Sequence, residues 1–173
     1  VGEGVSSSRV GERVWVFNAQ YGRQLGTSAE YVCLPSDYAI ILPESADYST
    51  GAMMGIPAMT SHRCVFADGP VEGKTLLITG GAGRVGYYAI QWAKHYGATV
   101  IATASSDSSR EQCKNAGADL VVGHPSDNSV QQIQKFTGGK KIDRIVEGDF
   151  GANLLPVLEI LKTGGTIATY SSM

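Results

Sequence analysis

Cysteine is scarce in this 173-residue chain, and the three present, Cys33, Cys64 and Cys113, lie far apart with no CxxC pair. An odd, scattered set argues against a disulfide framework and fits reduced thiols in a cytoplasmic protein. No apolar run approaches the ~20 residues that span a bilayer, and the opening Val1-Gly2-Glu3-Gly4 lacks the basic and apolar regions of a signal peptide. An excess of charge is missing too: 14 Lys and Arg against 16 Asp and Glu leave a formal charge of −2. Bulk electrostatics therefore give no pull toward nucleic acid or an anionic membrane. What is present is enough apolar material for a core, 43% of residues, and 22 glycines for turns against six prolines. Val1 in place of an initiating methionine, and Met173 directly after an apolar run, suggest an internal segment of a longer chain.

Two periodicities divide the sequence. From Gly11 to Leu42, short runs at Val14–Phe17, Ala29–Leu34 and Ala39–Leu42 are separated by Gly26 and Pro35 and closed by Pro43, which predicts a β-rich module. Glu44–Ser49 is polar. Ala52–Val65 is apolar with Pro57 at a start or kink, and predicts a helical link whose methionines fill core. After Gly73 the pattern alternates: strands at Thr75–Thr79, Thr99–Thr103, Leu120–Val122, Arg144–Glu147 and Thr166–Tyr170, with helices to about Tyr96 and at Ser108–Ala116, Val130–Phe136 and Asn153–Lys162. Helical crossovers force parallel strands. The expected fold is α/β, a doubly wound parallel sheet that stops after its fifth strand. The expected domains are 1–45, a linking region 46–72, and 73–173.

Between the first of these strands and its helix stands Thr79-Gly80-Gly81-Ala82-Gly83-Arg84-Val85-Gly86, a GxGxxG at Gly81, Gly83 and Gly86. Alone the motif is weak; after a strand and opening an amphipathic helix it predicts a dinucleotide site. Gly81 allows the tight turn, Gly83 the approach of backbone N–H groups to a pyrophosphate, and Gly86 close helix–strand packing. The helix N-terminus favours the phosphate charge. NAD-binding versions carry an acid about 20 residues on that accepts from the ribose 2′-hydroxyl. Here the second strand ends in Thr103-Ala104-Ser105-Ser106, and the first acid, Asp107, reads as a cap for the next helix. That favours NADPH, with NADH possible. Arg110, and Arg84 with it, could answer the extra phosphate; Arg110 reads equally as a solvated helix residue.

Four runs in order, Val10-Gly11-Glu12-Arg13-Val14, Gly26-Thr27-Ser28-Ala29-Glu30-Tyr31, Gly55-Ile56-Pro57-Ala58-Met59-Thr60 and the glycine loop, resemble the zinc-free medium-chain dehydrogenases/reductases of the NADPH:quinone oxidoreductase (zeta-crystallin) type. The resemblance implies that 1–45 ends a GroES-like catalytic domain and that 73–173 is a Rossmann domain. Zinc members carry a four-cysteine lobe where this chain has only Asn18–Leu25, and a thiolate where it has Ile56; His62, His95 and His124 are scattered. No metal is therefore expected. By position, Thr60 matches a residue near the nicotinamide carboxamide. Gly81, Ala82, Gly83, Arg84, Val85 and Gly86 match the pyrophosphate loop. Ser105, Arg110 and His124 match the 2′-phosphate pocket, although relatives often have Lys or Tyr where Ser109 and His124 stand. Tyr170 and Ser171 are expected under the nicotinamide ribose. Asn18 and Tyr21 would border the substrate cleft, or form a plain polar turn; Glu147 reads as a cofactor neighbour or a structural hydrogen-bonding residue. The activity implied is reduction of a quinone or activated alkene by NADPH, with enoyl-thioester or enone reduction as an alternative. A non-enzymatic NADPH- or RNA-binding role is a third. A small-molecule substrate is implied, with no membrane partner and, for the full-length protein, a homodimer.

Overall fold

The structure of the protein, a computed structural model, describes residues 1–124 and 127–171; Met173 lies outside them. It divides into two compact units, Val1–Ile56 and Pro57–Met173. The boundary falls inside the expected linking region.

In the first unit, β1 (Val14–Val16) pairs antiparallel with β2 (Ala39–Ile41). The run Ala29–Leu34, expected as a strand, is irregular, with Tyr31 91% exposed. Its apolar residues gain no partner strand and so no ladder. Arginines do much of the fastening: Arg9 donates to the carbonyls of Ser36 (3.1 Å) and Ala39 (2.8 Å), and Arg13 lies over the Tyr48 ring at 4.7 Å. Helix α1 (Tyr48–Met53) is capped by Asp47, which accepts from the Thr50 N–H at 2.7 Å. A π-helical stretch, Met54–Ala58, follows and contains Pro57 and a non-helical Gly55 (ψ −131°).

The second unit begins with α2 (Met59–Phe66) and then alternates β3 (Thr75–Ile78), α3 (Arg84–His95), β4 (Thr99–Thr103), α4 (Asp107–Ala116), β5 (Leu120–Val122), α5 (Asp127–Phe136), β6 (Ile142–Glu147), α6 (Phe150–Ile160) and β7 (Leu161–Thr169). The sheet is parallel throughout, in the order β5-β4-β3-β6-β7. Its strands alternate sides: Leu76, Ile78, Val100 and Ala102 face one core, closed by α2, α3 and α4, while Leu77, Ile101 and Ile145 face another, closed by α5 and α6. The expected doubly wound α/β sheet is present. The chain leaves β3 toward β4 on one side and later toward β6 on the other, so the topological switch point lies between β3 and β6.

Three local expectations are corrected. Met53, Ile56 and Met59 are exposed rather than core-filling; the break at Gly55 interrupts the helical face, and Ala58, Ser61, Cys64 and Val65 are the residues buried. Helix α6 ends at Ile160, not Lys162, because Leu161 already pairs with Ile142; the ladder resumes at Thr166 opposite Arg144, and the intervening residues include Gly164 at φ +73°. Ser106, not Asp107, caps α4, accepting from the Ser109 N–H at 3.2 Å.

Two charged residues on β6 tie the layers. Arg144, buried, donates to the Cys64 carbonyl and lies against the Asp68 carboxylate. Asp143 accepts from the Thr75 N–H at 2.8 Å and pairs with Lys162. Burial works to raise its pKa, but the Lys162 and Thr75 hydrogen bonds and the charges of Lys162 and Lys74 outweigh it and hold it below the usual value. A depressed folded pKa stabilises above the unfolded value and is lost as pH falls through the folded one. Asp143→Asn should therefore cost roughly 1–2 kcal/mol at neutral pH. In urea titrations the gap to the parent chain should close below the ordinary Asp pKa; a gap unchanged at acid pH would contradict this role.

Candidate active site

The glycine loop crosses the carboxyl end of β3. Gly80 takes φ +60°, its N–H donates to Thr103 Oγ1 (2.9 Å), and the Gly81 N–H donates to the Thr103 carbonyl (2.9 Å). A Cβ on Gly81 would stand 2.8 Å from Cys113 Sγ and 2.9 Å from Ala102 Cβ. A Cβ on Gly86 would stand 2.4 Å from the Gly80 carbonyl oxygen. Both contacts are shorter than any real side chain tolerates, so α3 lies against the loop at backbone distance. Burial pushes the Cys113 thiol up and keeps it protonated beneath the loop.

At the start of α3, Gly83 is the N-cap and supplies no side chain to the exposed N–H groups. The first-turn N–H groups of Arg84, Val85 and Gly86 have no partner four residues back. Beside them opens a cavity of about 270 Å³ lined by Gly80, Ala82, Gly83, Thr103, Ala104, Ser105, Ser109, Gln112 and His124. Arg110 does not line it, but its Nη2 lies 3.8 Å from where a Cβ on Gly123 would be. Neither Arg84 nor Arg110 pairs with a carboxylate among the described residues. An uncapped helix N-terminus, a loop stripped of side chains and two unspent guanidiniums fit a phosphorylated dinucleotide.

Of the expected site residues, Ala82, Gly83, Ser105 and His124 thus line one cavity, while Gly81, Arg84, Val85, Gly86 and Arg110 do not. Tyr170 and Ser171 lie at the end of β7, across the switch point. The Tyr170 N–H donates to the Glu147 carbonyl (3.2 Å), and the Ser171 carbonyl accepts from Thr169 Oγ1 (2.9 Å). Burial raises the Tyr170 pKa, with the nearby Cys64 and Glu147 adding to it, so the phenol keeps its proton at neutral pH. Thr60 is half-buried on α2. In the first unit, Asn18 (φ +52°) accepts from the Tyr21 N–H at 3.0 Å, and both line a cavity of about 410 Å³ with Val16, Phe17, Gly26 and Ile56. Among the described residues, no three of His, Cys, Asp or Glu gather to hold a metal ion.

The motif does not reach Thr79, Thr103 and Gln112. Thr79 and Thr103 are buried, each with its hydroxyl bonded across to a neighbouring strand end. A polar residue closing an otherwise apolar strand was the available signal.

The profile of the family described as zinc-binding dehydrogenase matches residues 85–173. The quinone oxidoreductase of Sus scrofa is 35% identical over 173 residues, 99% of this chain and 51% of that protein. The 2-haloacrylate reductase of a Burkholderia species is 28% identical, over 98% of this chain and 51% of that protein. The solved structure of a mycobacterial protein complexed with NADPH superposes with a TM-score of 0.81 at 29% identity, covering 99% of this chain and 53% of that one. The chain spans about half the length of the curated relatives it matches.

Two glycine substitutions should separate packing from ligand approach. Gly86→Ala should destabilise the fold by roughly 1–3 kcal/mol in urea unfolding, because the backbone must shift. Gly83→Val, whose Cβ would meet the Gly80 oxygen at 3.1 Å, should leave a folded protein that no longer binds dinucleotide. Unchanged NADPH titration of Gly83→Val would contradict the loop assignment.

Proposed function

This chain belongs to the zinc-binding dehydrogenase family, in the quinone-oxidoreductase-type branch of the medium-chain dehydrogenases/reductases, and on that premise we propose that it is part of an NADPH-dependent oxidoreductase acting on quinones or related activated alkenes without zinc. The observation that carries the reading is the cavity beside the glycine loop. Its β4 wall ends in Thr103, Ala104 and Ser105, with no carboxylate to repel a 2′-phosphate. Near that end Arg110 supplies positive charge, and His124 lines the cavity.

Bound NADPH would supply the hydride; the chain's own residues bind, orient and exclude water. Ala82 to Gly86 hold the pyrophosphate through main-chain N–H groups, and Ser105, Arg110 and His124 hold the adenosine phosphate. Thr60 is assigned to the carboxamide, and Tyr170 with Ser171 to the nicotinamide ribose. Asn18 and Tyr21 are assigned to the substrate. A quinone is electrophilic enough to need no Lewis acid, which agrees with Ile56 where zinc-dependent members present a thiolate.

A second reading, reduction of an enone or enoyl thioester, is favoured by the similarity to a 2-haloacrylate reductase. Turnover of a 1,4-quinone against a crotonyl thioester, measured on the whole protein, separates the two: the first reading expects the quinone to be preferred. Cofactor choice is tested on the chain itself. Arg110→Ala should weaken NADPH binding by roughly tenfold and leave NADH nearly untouched in fluorescence titrations. Equal loss for both cofactors would remove Arg110 from the phosphate site.

A further inference from the structure

Glu147, the last residue of β6, is fully buried, yet no motif includes it. Three donors converge on its Oε1: the Thr79 hydroxyl (2.8 Å), the Asp149 N–H (2.6 Å) and the Asn153 amide (2.8 Å). The Thr79 hydroxyl in turn accepts from the Gly148 N–H at 2.9 Å. Oε2 is buried and has no hydrogen-bond partner among the described residues. So many donors on a single oxygen suit a carboxylate or an amide carbonyl.

The same residue reaches the far side of the switch point through its main chain. The Glu147 carbonyl accepts from the Tyr170 N–H. Next to it, Gly148 leaves the space that Tyr170 fills: a Cβ there would stand 2.7 Å from the phenol oxygen. Thr79 immediately precedes Gly80, so Glu147 grips the root of the glycine loop with its side chain and the end of β7 with its backbone. By contrast, the Ser105–His124 end of the cavity hangs on β4 and β5. Its link to the loop, the Gly80 N–H on Thr103 Oγ1, does not pass through Glu147.

We propose that Glu147 is a positioning residue: it sets the spacing between the glycine loop and Tyr170, so that a dinucleotide held at its pyrophosphate meets the floor of the crevice with its nicotinamide half. The role rests on the proposed NADPH site and adds to it a residue that touches neither phosphate nor adenosine. It acts through Thr79 and Tyr170. Because Oε2 has no partner among the described residues, replacing it with an amide nitrogen breaks none of the bonds described.

The test compares two ligands, NADPH and 2′,5′-ADP, which carries the adenosine half alone, by titration of the chain and its variants. Glu147→Ala should weaken NADPH by about tenfold or more, as a misplacement near 1 Å does, while 2′,5′-ADP changes less than about twofold. Glu147→Gln should restore NADPH to within about threefold of the parent, since its carbonyl accepts the same three bonds. Thr79→Val, which cuts the link to the loop, should reproduce the Glu147→Ala pattern and carries the test if Glu147→Ala does not fold by circular dichroism. Equal losses for both ligands, unchanged NADPH binding in folded Glu147→Ala or Thr79→Val, or failure of Glu147→Gln to restore it would overturn the positioning role. A parent chain that binds neither ligand would remove the cofactor site itself.

Discussion

The contact between Gly86 and the Gly80 carbonyl constrains everything around it. With no side chain between them, α3 meets the loop at backbone distance, and its first turn aims at the crevice beside β3. The loop is held from the other side by Thr103, which takes the Gly80 and Gly81 N–H groups through its hydroxyl and carbonyl. A loop fixed from both sides presents donors without reorganisation, the condition under which an anion gains most from them.

Polar side chains lace the carboxyl edge of this sheet where apolar ones fill its centre. Thr103 joins β4 to the loop, Thr79 joins β3 to β6, and Glu147 joins β6 to the start of α6. Such groups would cost free energy if buried unpaired. Among the described residues the Thr79 and Thr103 hydroxyls and Glu147 Oε1 are paired, with Glu147 Oε2 left over, so the network fixes the strand ends relative to one another. The crevice that forms over them inherits that rigidity, and this is where ligands bind in open parallel sheets.

The proposed preference for a phosphorylated cofactor rests on the side chains around the same edge. Ending β4 in a threonine, an alanine and a serine removes the carboxylate that a plain ribose hydroxyl would seek. Among the described residues Arg110 pairs with no acid. A phosphate beside Arg110 would gain a charge partner there.

Periodicity and glycine spacing in the sequence alone determined the parallel α/β order, the place of the glycine loop and the missing acid after β4. These are local signals: apolar runs at strand length, helical stripes, and a GxGxxG whose neighbours are fixed by covalent connection. Strand existence in Ala29–Leu34 was not legible, because a strand needs a partner edge that residues 29–34 cannot specify. Nor were the exposed faces of Met53, Ile56 and Met59, which depend on the backbone break at Gly55. Only the tertiary structure decided that Thr79, Glu147 and Tyr170, up to 91 positions apart in sequence, meet at one edge, since hydrogen bonds between strand ends follow from sheet order and register rather than from any spacing along the chain.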